Sequence, residues 1–328
     1  MNHFPVTNSN LSAEHLAIFL QENYHLGNIV ECKLLRAGIN HTYTVFSGIN
    51  KFVFRVYSLN WRTGTEISEE IKLLNQLKEH QVSVSYPIVD KKENYIQTLN
   101  APEGDRFGVL FTYANGKKQH QFTDDTHYQV GALMAQLHQI TLNLSLKRVD
   151  YTPQVILVDS LVQLNNFLPS DTAEMDFMKS AQKYLLNEFS NVNKNEIRKG
   201  VVHLDIWFEN MNITSENEIT IFDFDFCGNG WLCYDLAFYI LQIYNIGRYE
   251  KDSKLRVESF LKGYESITKI SDEEKRIIPM LGVSLYFFYL GIQCQRFDNW
   301  SNSFLSEDYL KRYINGLVKR YFELFNLG

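Results

Sequence analysis

The stretch that decides the fold is HLDIWFENMNITSENEITIFDFD, residues 203–225. It places His203, Asp205 and Asn210 in the pattern H-x-D-x-x-x-x-N and ends with Asp223 in an alternation of Asp with Phe. A carboxylate is costly to bury beside apolar side chains unless it has a partner. The pattern therefore indicates a site rather than ordinary core.

Three of these polar residues suit phosphoryl transfer. Asp205 and Asn210 follow the strand-like KGVV, and Asp223 follows a short hairpin, so loops joined by short strands bring their oxygens together. Magnesium takes hard oxygen ligands, typically one or two protein carboxylates plus substrate phosphates. A further carboxylate must orient the attacking hydroxyl and accept its proton. Asp205 fits the role of base, and Asn210 with Asp223 fits that of metal ligands.

The alternation of Phe and Asp over residues 222–226 predicts a strand with one apolar face and one acidic face. Packing of the apolar face would fix the carboxylates on the other face. Asp225 is either a third metal neighbour or a cap of the turn at Gly228, and we favour the structural role. We expect His203 to organise the loop rather than to act as a base.

The patterns along the chain predict two lobes of an α+β protein. Residues 1–113 predict a sheet of about five strands, with one helix at 64–80 inserted after the third strand. Residues 114–328 are mainly helical, and two short strand-like pieces interrupt them at 211–225. Helices are predicted around 11–25, 128–140, 175–190, 235–246, 253–267, 273–295 and 306–325.

Composition excludes several classes of protein. The chain has 328 residues and a formal net charge of −6, which disfavours a nucleic-acid partner. The four cysteines are scattered without a CxxC pair, so we expect a reducing cytoplasm and no zinc site. The longest apolar run, residues 281–292, is shorter than the ~18 residues of a membrane span and predicts a buried helix. The N-terminus lacks the pattern of a signal peptide.

VVHLDIWFENMNI followed by IFDFDFCGNGWLCYDLA resembles the aminoglycoside phosphotransferase and choline kinase-like family. The resemblance is closest to the branch that holds type II homoserine kinases and bacterial stress-response kinases. It implies a bilobal protein-kinase-like fold that uses ATP, or GTP, with Mg²⁺. It also implies that Asp205 is the base, that Asn210 and Asp223 bind magnesium, and that Asp235 of YDLA supports the catalytic loop.

The resemblance extends upstream in the order that the family shows. LLRAGINHTYTV, with Gly38 and Asn40, corresponds to the hairpin that covers the phosphates, and FVFRVY places Arg55 where the family has a basic residue. SEEIKLLNQL corresponds to the helix whose glutamate pairs with that residue. We favour Glu70 for this pair, and Glu69 is the alternative. VLFTYANGK, with Thr112, Tyr113 and Ala114, corresponds to the interlobe hinge that receives the nucleotide base.

The residues between base and metal ligand depart from the family. Leu204, Trp207, Phe208 and Glu209 stand where many relatives have small or polar residues. Trp207 and Phe208 either contact the acceptor or belong to the core, and the sequence does not separate these alternatives. Arg296, after the long apolar helix, is a further candidate contact, although an ordinary charge at a helix end is the simpler interpretation.

The sequence therefore predicts a cytoplasmic kinase that phosphorylates a hydroxyl group of a small molecule, such as an amino acid, amino alcohol, sugar or aminoglycoside-like compound. We expect a monomer or homodimer without a nucleic-acid or membrane partner. A protein Ser/Thr kinase of the stress-response type is the alternative. The twelve residues from Asp223 to Asp235 leave little room for a segment that docks a protein substrate. A non-catalytic nucleotide-binding scaffold is a third hypothesis.

Overall fold

Alternating apolar residues in the first third of the chain build an antiparallel sheet, and the rest of the chain is mainly helical, as predicted. The computed structural model describes residues 4–27, 30–119, 121–247 and 249–328. The chain divides into two units between Asn115 and Gly116, two residues beyond the boundary that the sequence suggested.

The first unit combines two helices with six strands among its described residues. They are α1 (Ala13–Asn23), β1 (Val30–Ala37), β2 (His41–Ser47), β3 (Asn50–Val56), α2 (Gly64–Glu79), β4 (Pro87–Ile88), β5 (Ile96–Ala101) and β6 (Gly104–Thr112). All pairs are antiparallel in the order β1-β2-β3-β6-β4, and β5 also pairs with β6. The sheet has six strands where about five were predicted, and the two-residue β4 pairs with the end of β6 that β5 leaves open.

One face of this sheet packs on α1. Strand β2 alternates strictly, so that Tyr43 and Val45 are fully buried, and Leu20 of α1 and Tyr24, the residue after α1, join them in one core with Phe54 of β3. Burial of several large apolar side chains contributes about 1.5–3 kcal/mol for each, which holds the helix on the strands.

The second unit contains eight α-helices and four short strands among its described residues. They are α3 (Asp124–Thr141), α4 (Ser160–Leu164), α5 (Ala173–Ser190), β7 (Lys199–Val202), β8 (Met211–Ile213), β9 (Ile219–Ile221), β10 (Gly228–Trp231), α6 (Cys233–Ile246), α7 (Glu250–Glu265), α8 (Asp272–Gln295), α9 (Glu307–Tyr313) and α10 (Arg320–Leu324). Strand β7 pairs with β10 and β8 with β9. The helix that the sequence predicted over 306–325 is α9 and α10 joined by a π-helical turn.

Helix α8 is the central core helix of the second unit. Ser271 and Glu274 form the capping box that starts it. By length and composition it is the one helix among the described residues that could cross a membrane, but 78% of its most apolar window is buried inside the protein. The apolar run at 281–292 is therefore core, as predicted.

Gly116 begins the second unit and is required there. Its φ of 91° is unfavourable for other residues, and a Cβ atom would lie 2.2 Å from the carbonyl oxygen of Ile213. This close approach lets Lys117 pair with Ile213 at the end of β8. The chain therefore enters the second unit directly beside the hairpin that follows Asn210.

Candidate active site

The loop between β7 and β8 carries Asp205 and Asn210. The amide nitrogen of Asn210 donates hydrogen bonds to Asp205 Oδ2 at 2.6 Å and to the Asp205 carbonyl oxygen at 3.0 Å. Because the amide nitrogen donates to Asp205, the amide oxygen is the atom of this side chain that can accept a hydrogen bond or bind a metal ion. The predicted base and the first predicted metal ligand are therefore in direct contact.

Asp235, in the first turn of α6, supports this loop from inside the core. Its side chain is fully buried, and Oδ2 accepts from the His203 backbone N–H at 2.9 Å, while Oδ1 accepts from the Leu204 N–H at 2.6 Å. His138 Nε2 lies 3.0 Å from Oδ2. Leu204 has a φ of 65°, a conformation that is strained for a non-glycine residue. Asp235 thus satisfies the backbone donors of a strained turn.

The His203 ring ties this loop to the turn that carries Asp223. Nδ1 accepts from the Asp205 N–H at 3.1 Å, so Nε2 carries the proton and donates to the Phe222 carbonyl oxygen at 3.2 Å. The ring also packs on Phe224, with 4.3 Å between centroids. His203 is almost completely buried, and its contacts are those of a loop organiser.

Asp223 follows β9 in a left-handed conformation, with a φ of 68°. The predicted strand over 222–226 is wrong, because this conformation ends the strand at Ile221 and residues Phe224–Phe226 form a 3-10 turn. The Phe222 N–H donates to the Asn210 carbonyl oxygen at 3.0 Å, which joins the two predicted metal ligands through the backbone.

The turn after Asp223 is held from behind. Arg148 donates through Nη2 to the Asp225 carbonyl oxygen and through Nε to the Cys227 carbonyl oxygen at 2.6 Å. Tyr151 donates to the Phe226 carbonyl oxygen at 2.5 Å. The Asp225 side chain is buried. These bonds give residues 225–227 a structural role in fixing where the Asp223 turn lies.

Two residues of the site escaped the sequence analysis. The Tyr289 hydroxyl of α8 lies 2.8 Å from Asp205 Oδ1 and 2.8 Å from the Leu204 carbonyl oxygen, and its single proton is shared between these two acceptors. His138 of α3 lies against Asp235 and, through Nδ1, 2.8 Å from the Tyr264 hydroxyl. Tyr289 was hidden in the apolar run at 281–292. A tyrosine in such a run is a signal, because a buried hydroxyl usually finds a partner.

In the first unit, Arg55 pairs with Glu70. Arg55 Nη1 lies 2.8 Å from Glu70 Oε1, both side chains are buried, and Tyr57 donates to Glu70 Oε2 at 3.2 Å. Glu69, the alternative partner, instead pairs with Lys72 at 2.6 Å. The phenol and the guanidinium together satisfy both oxygens of a fully buried carboxylate.

In the predicted phosphate hairpin, one backbone N–H already has a partner within the hairpin. The Gly38 N–H donates to the Asn40 carbonyl oxygen at 3.1 Å and is thus already used. The Asn40 side chain accepts from the Ser58 N–H at 3.3 Å, which pins the hairpin to the residues after β3. A Cβ atom at Gly38 would make only ordinary contacts, so this position does not require glycine.

The predicted hinge residues close the sheet of the first unit. Thr112 ends β6, where its hydroxyl oxygen accepts from the Tyr86 N–H at 3.0 Å. Lys51 lies 5.5 Å from the centre of the Tyr113 ring, and Ala114 is buried. Thr112 and Tyr113 therefore contact neighbours within their own unit.

The candidate acceptor contacts fall into different surroundings. Phe208 is buried and packs edge-on against Phe122, with 4.7 Å between ring centroids, which favours the core alternative of the two that the sequence left open. Aromatic rings of α3 and α6 also contact it. Trp207 is partly exposed beside it, and Glu209 pairs with Lys118 at 2.9 Å. Arg296 is the residue that ends α8, and its N–H donates to the Ile292 carbonyl oxygen.

Residues 31–273, well over half of the chain, match the model of the phosphotransferase enzyme family. A homoserine kinase of Bradyrhizobium diazoefficiens is 23% identical over 282 residues, which cover 83% of this chain and 81% of that protein.

Two solved structures share the fold. An amicoumacin kinase in complex with AMP-PNP, Ca²⁺ and Ami superposes with a TM-score of 0.77 and 19% identity, covering 96% of this chain and 97% of that one. A microcompartment-associated aminopropanol kinase gives 0.76 and 19% identity, covering 96% and 99%. This chain therefore belongs to the phosphotransferase enzyme family and is a kinase with a protein-kinase-like fold.

Proposed function

We propose that this kinase transfers the γ-phosphoryl group of ATP, or GTP, to a hydroxyl group of a small molecule, with Asp205 as the base. The observation that carries the proposal is the bond of 2.6 Å between Asn210 and the Asp205 carboxylate. It joins a group that can accept a proton to a group that can bind a metal ion. Phosphoryl transfer needs both at one point.

The oxygen donors suit a hard divalent cation. We propose that the Asn210 amide oxygen and the Asp223 carboxylate hold Mg²⁺, since magnesium prefers oxygen ligands and keeps positions for substrate phosphates. No cluster of three or more His, Cys, Asp or Glu side chains in the described parts of the chain could hold a metal by itself. The cation would therefore depend on nucleotide phosphates for part of its coordination. Bound there, it would neutralise charge on the phosphoryl group.

The site residues of the second unit have different tasks in this proposal. Asp205 orients the acceptor hydroxyl and takes its proton through a carboxylate oxygen. Asp235 and His203 keep the loop in the conformation that presents this carboxylate. Asn210 fixes the carboxylate through its nitrogen and would bind the cation through its oxygen, so that the two functions remain in register.

In the first unit, we propose that Arg55 binds nucleotide phosphates. Glu70 holds the guanidinium at 2.8 Å, and Arg55 is 7% exposed, so the charge is held in place. Arg is permanently charged and can bind phosphate, although with a geometry that differs from that of Lys.

The acceptor proposed here is a hydroxylated amino acid or an amino alcohol. The relatives include kinases named for homoserine and for aminopropanol, and both names denote small molecules that carry an amino group and a hydroxyl group. The structure of the segment from Asp223 to Asp235 favours a small molecule over a protein as the acceptor. A 3-10 turn and strand β10 occupy it, and β10 pairs along its length with β7, so this segment is already ordered without a protein substrate.

A screen for nucleotide consumption tests the proposal. ADP formation would be followed with ATP, Mg²⁺ and a panel that includes homoserine, aminopropanol and sugars. We expect Asp205→Asn to abolish transfer while nucleotide binding survives, and Asp223→Asn to weaken binding of the magnesium nucleotide. Asp252→Asn, at an exposed position in the first turn of α7, is the control. Full turnover by Asp205→Asn would sink the assignment.

A further inference from the structure

We propose that Tyr289 is the positioning residue of the base: its hydroxyl fixes the Asp205 carboxylate in the orientation needed for phosphoryl transfer. The inference rests on the proposed function, because it assigns a task to a residue that contacts the proposed base. Tyr289 lies in α8, 84 residues along the chain from Asp205. Nothing in the pattern at 203–225 points to it.

The first observation is that each oxygen of the Asp205 carboxylate has its own donor. Asn210 Nδ2 donates to Oδ2 at 2.6 Å, and the Tyr289 hydroxyl donates to Oδ1 at 2.8 Å. A carboxylate held at one oxygen can still swing about that contact. Donors at both oxygens define its plane, so Asn210 alone does not specify the orientation.

The second observation is that the Tyr289 hydroxyl is located by the loop backbone. It lies 2.8 Å from the Leu204 carbonyl oxygen as well as from Asp205 Oδ1. The hydroxyl therefore fixes the position of the Asp205 carboxylate relative to the backbone of Leu204. Because Leu204 is the strained residue of the loop, this bond supports the backbone and the side chain together.

The third observation is that aromatic packing holds the Tyr289 ring. The ring stacks on Phe238 of α6, with centroids 5.1 Å apart and planes 23° apart. Phe226, in the turn after Asp223, meets it edge-on at 5.9 Å. The stacking restrains the ring. The contact with Phe226 connects the base to the turn that carries Asp223.

The fourth observation concerns the proton of the phenol. Burial, followed by the charge and the hydrogen bond of Asp205, raises the pKa of Tyr289 well above its usual value. The phenol therefore stays protonated, and able to donate, up to a pH above the ordinary pKa of tyrosine. It positions the base and does not compete for the proton that the base takes.

Two bonds to the carboxylate still leave it able to work. Two carboxylate oxygens offer about four lone-pair sites. The bonds from Asn210 and Tyr289 by themselves use one site on each oxygen. In phosphoryl transfer, positioning and electrostatics contribute more than the strength of the base. A hydrogen-bond donor makes the Asp205 carboxylate slightly less basic, but the gain from its correct orientation outweighs that loss.

Tyr289→Phe is the direct test, since it removes the hydroxyl and keeps the stacked ring. The matched control is Tyr286→Phe, three residues earlier in α8, which removes a buried hydroxyl that donates to Asn245 Oδ1 at 2.5 Å. With Mg-ATP and the acceptor found in the screen, we expect Tyr289→Phe to lower kcat about 10- to 100-fold, because small misplacements of a reacting group are costly. The KM for the acceptor and the Kd for Mg-ATP should stay within about twofold. Tyr286→Phe should retain kcat.

A crystal structure of Tyr289→Phe gives a second result that needs no acceptor. We expect the Asp205 carboxylate to rotate away from its wild-type orientation or to occupy two orientations. An unchanged carboxylate, or a kcat equal to that of Tyr286→Phe, overturns the inference. A variant with normal kcat and lower acceptor KM also overturns it, because the hydroxyl would then only occupy the place of the acceptor. If Asp205→Asn itself remains active, the proposed function fails instead.

Discussion

The Leu204 N–H donates to Asp235 Oδ1 at 2.6 Å, and this bond lies at the one residue between His203 and Asp205. Leu204 is fully buried and has a φ of 65°. A buried non-glycine residue in this conformation costs about 1–3 kcal/mol and persists only where its surroundings require it. Asp235 stabilises this conformation, because its carboxylate accepts hydrogen bonds from two successive backbone N–H groups of the turn.

Asp235→Asn should therefore damage both stability and turnover. The amide that replaces one carboxylate oxygen brings N–H groups toward backbone N–H groups, which leaves a buried donor unsatisfied. We expect the free energy of unfolding to fall by about 3 kcal/mol. Urea unfolding followed by circular dichroism measures it, with Asp252→Asn as the exposed control. Equal unfolding midpoints for the two variants would contradict the role of Asp235.

Substitution of Leu204 tests the strain itself. Alanine usually stabilises a protein relative to glycine by about 0.5–1 kcal/mol within regular structure. At a φ of 65°, glycine relieves strain that alanine keeps. Both variants lose the same buried apolar side chain apart from one methyl group. We expect Leu204→Gly to be at least as stable as Leu204→Ala in thermal unfolding. An alanine variant that is clearly the more stable of the two would show that the turn is not strained.

The sequence predicted those parts of the site that depend on short spacing. His203, Asp205 and Asn210 lie within eight residues, and β7 and β8 position them as their loop pattern indicated. It could not predict contacts that depend on how distant helices pack. Tyr289 and His138 reach the loop from α8 and α3, and only the three-dimensional arrangement of these helices shows which of their residues face it.

The prediction failed where local geometry overrides an alternating pattern. Phe and Asp alternate over 222–226, but the left-handed conformation of Asp223 ends the strand before the alternation begins. Asp is one of the few residues that tolerate this conformation. An Asp within a strand pattern is therefore a signal for a turn as well as for a ligand.

Arg55 and Glu70 allow a prediction with a matched control in α2, the helix of Glu70. Glu70→Ala leaves the buried Arg55 guanidinium without its carboxylate, and such a loss costs about 3–5 kcal/mol. Glu79→Ala, at an exposed position in the last turn of the same helix, should cost less than about 1 kcal/mol. Chemical unfolding of the two variants gives the comparison. Similar losses in both would mean that the Arg55 charge is compensated elsewhere.

His127 gives the protein a dependence of stability on pH. It is buried in α3 with Nδ1 2.9 Å from the Tyr239 hydroxyl, and burial, followed by the charge of Arg256, lowers its pKa to about 4. Its ordinary pKa is about 6.5, so between these values the unfolded state binds the proton and the folded state does not. The free energy of unfolding therefore falls as the pH falls from about 6.5 to 4, by about 3 kcal/mol from this residue.

Urea unfolding at several pH values measures the contribution of His127. His127→Gln keeps an acceptor for the Tyr239 hydroxyl but cannot titrate, so its stability should change less over this range than that of the wild type. His15→Gln, at an exposed position in α1, should follow the wild type. If His127→Gln loses stability as steeply as the wild type, the buried ring is already protonated in the folded state or another group dominates. In the first case, the imidazolium would donate to the phenol oxygen of Tyr239.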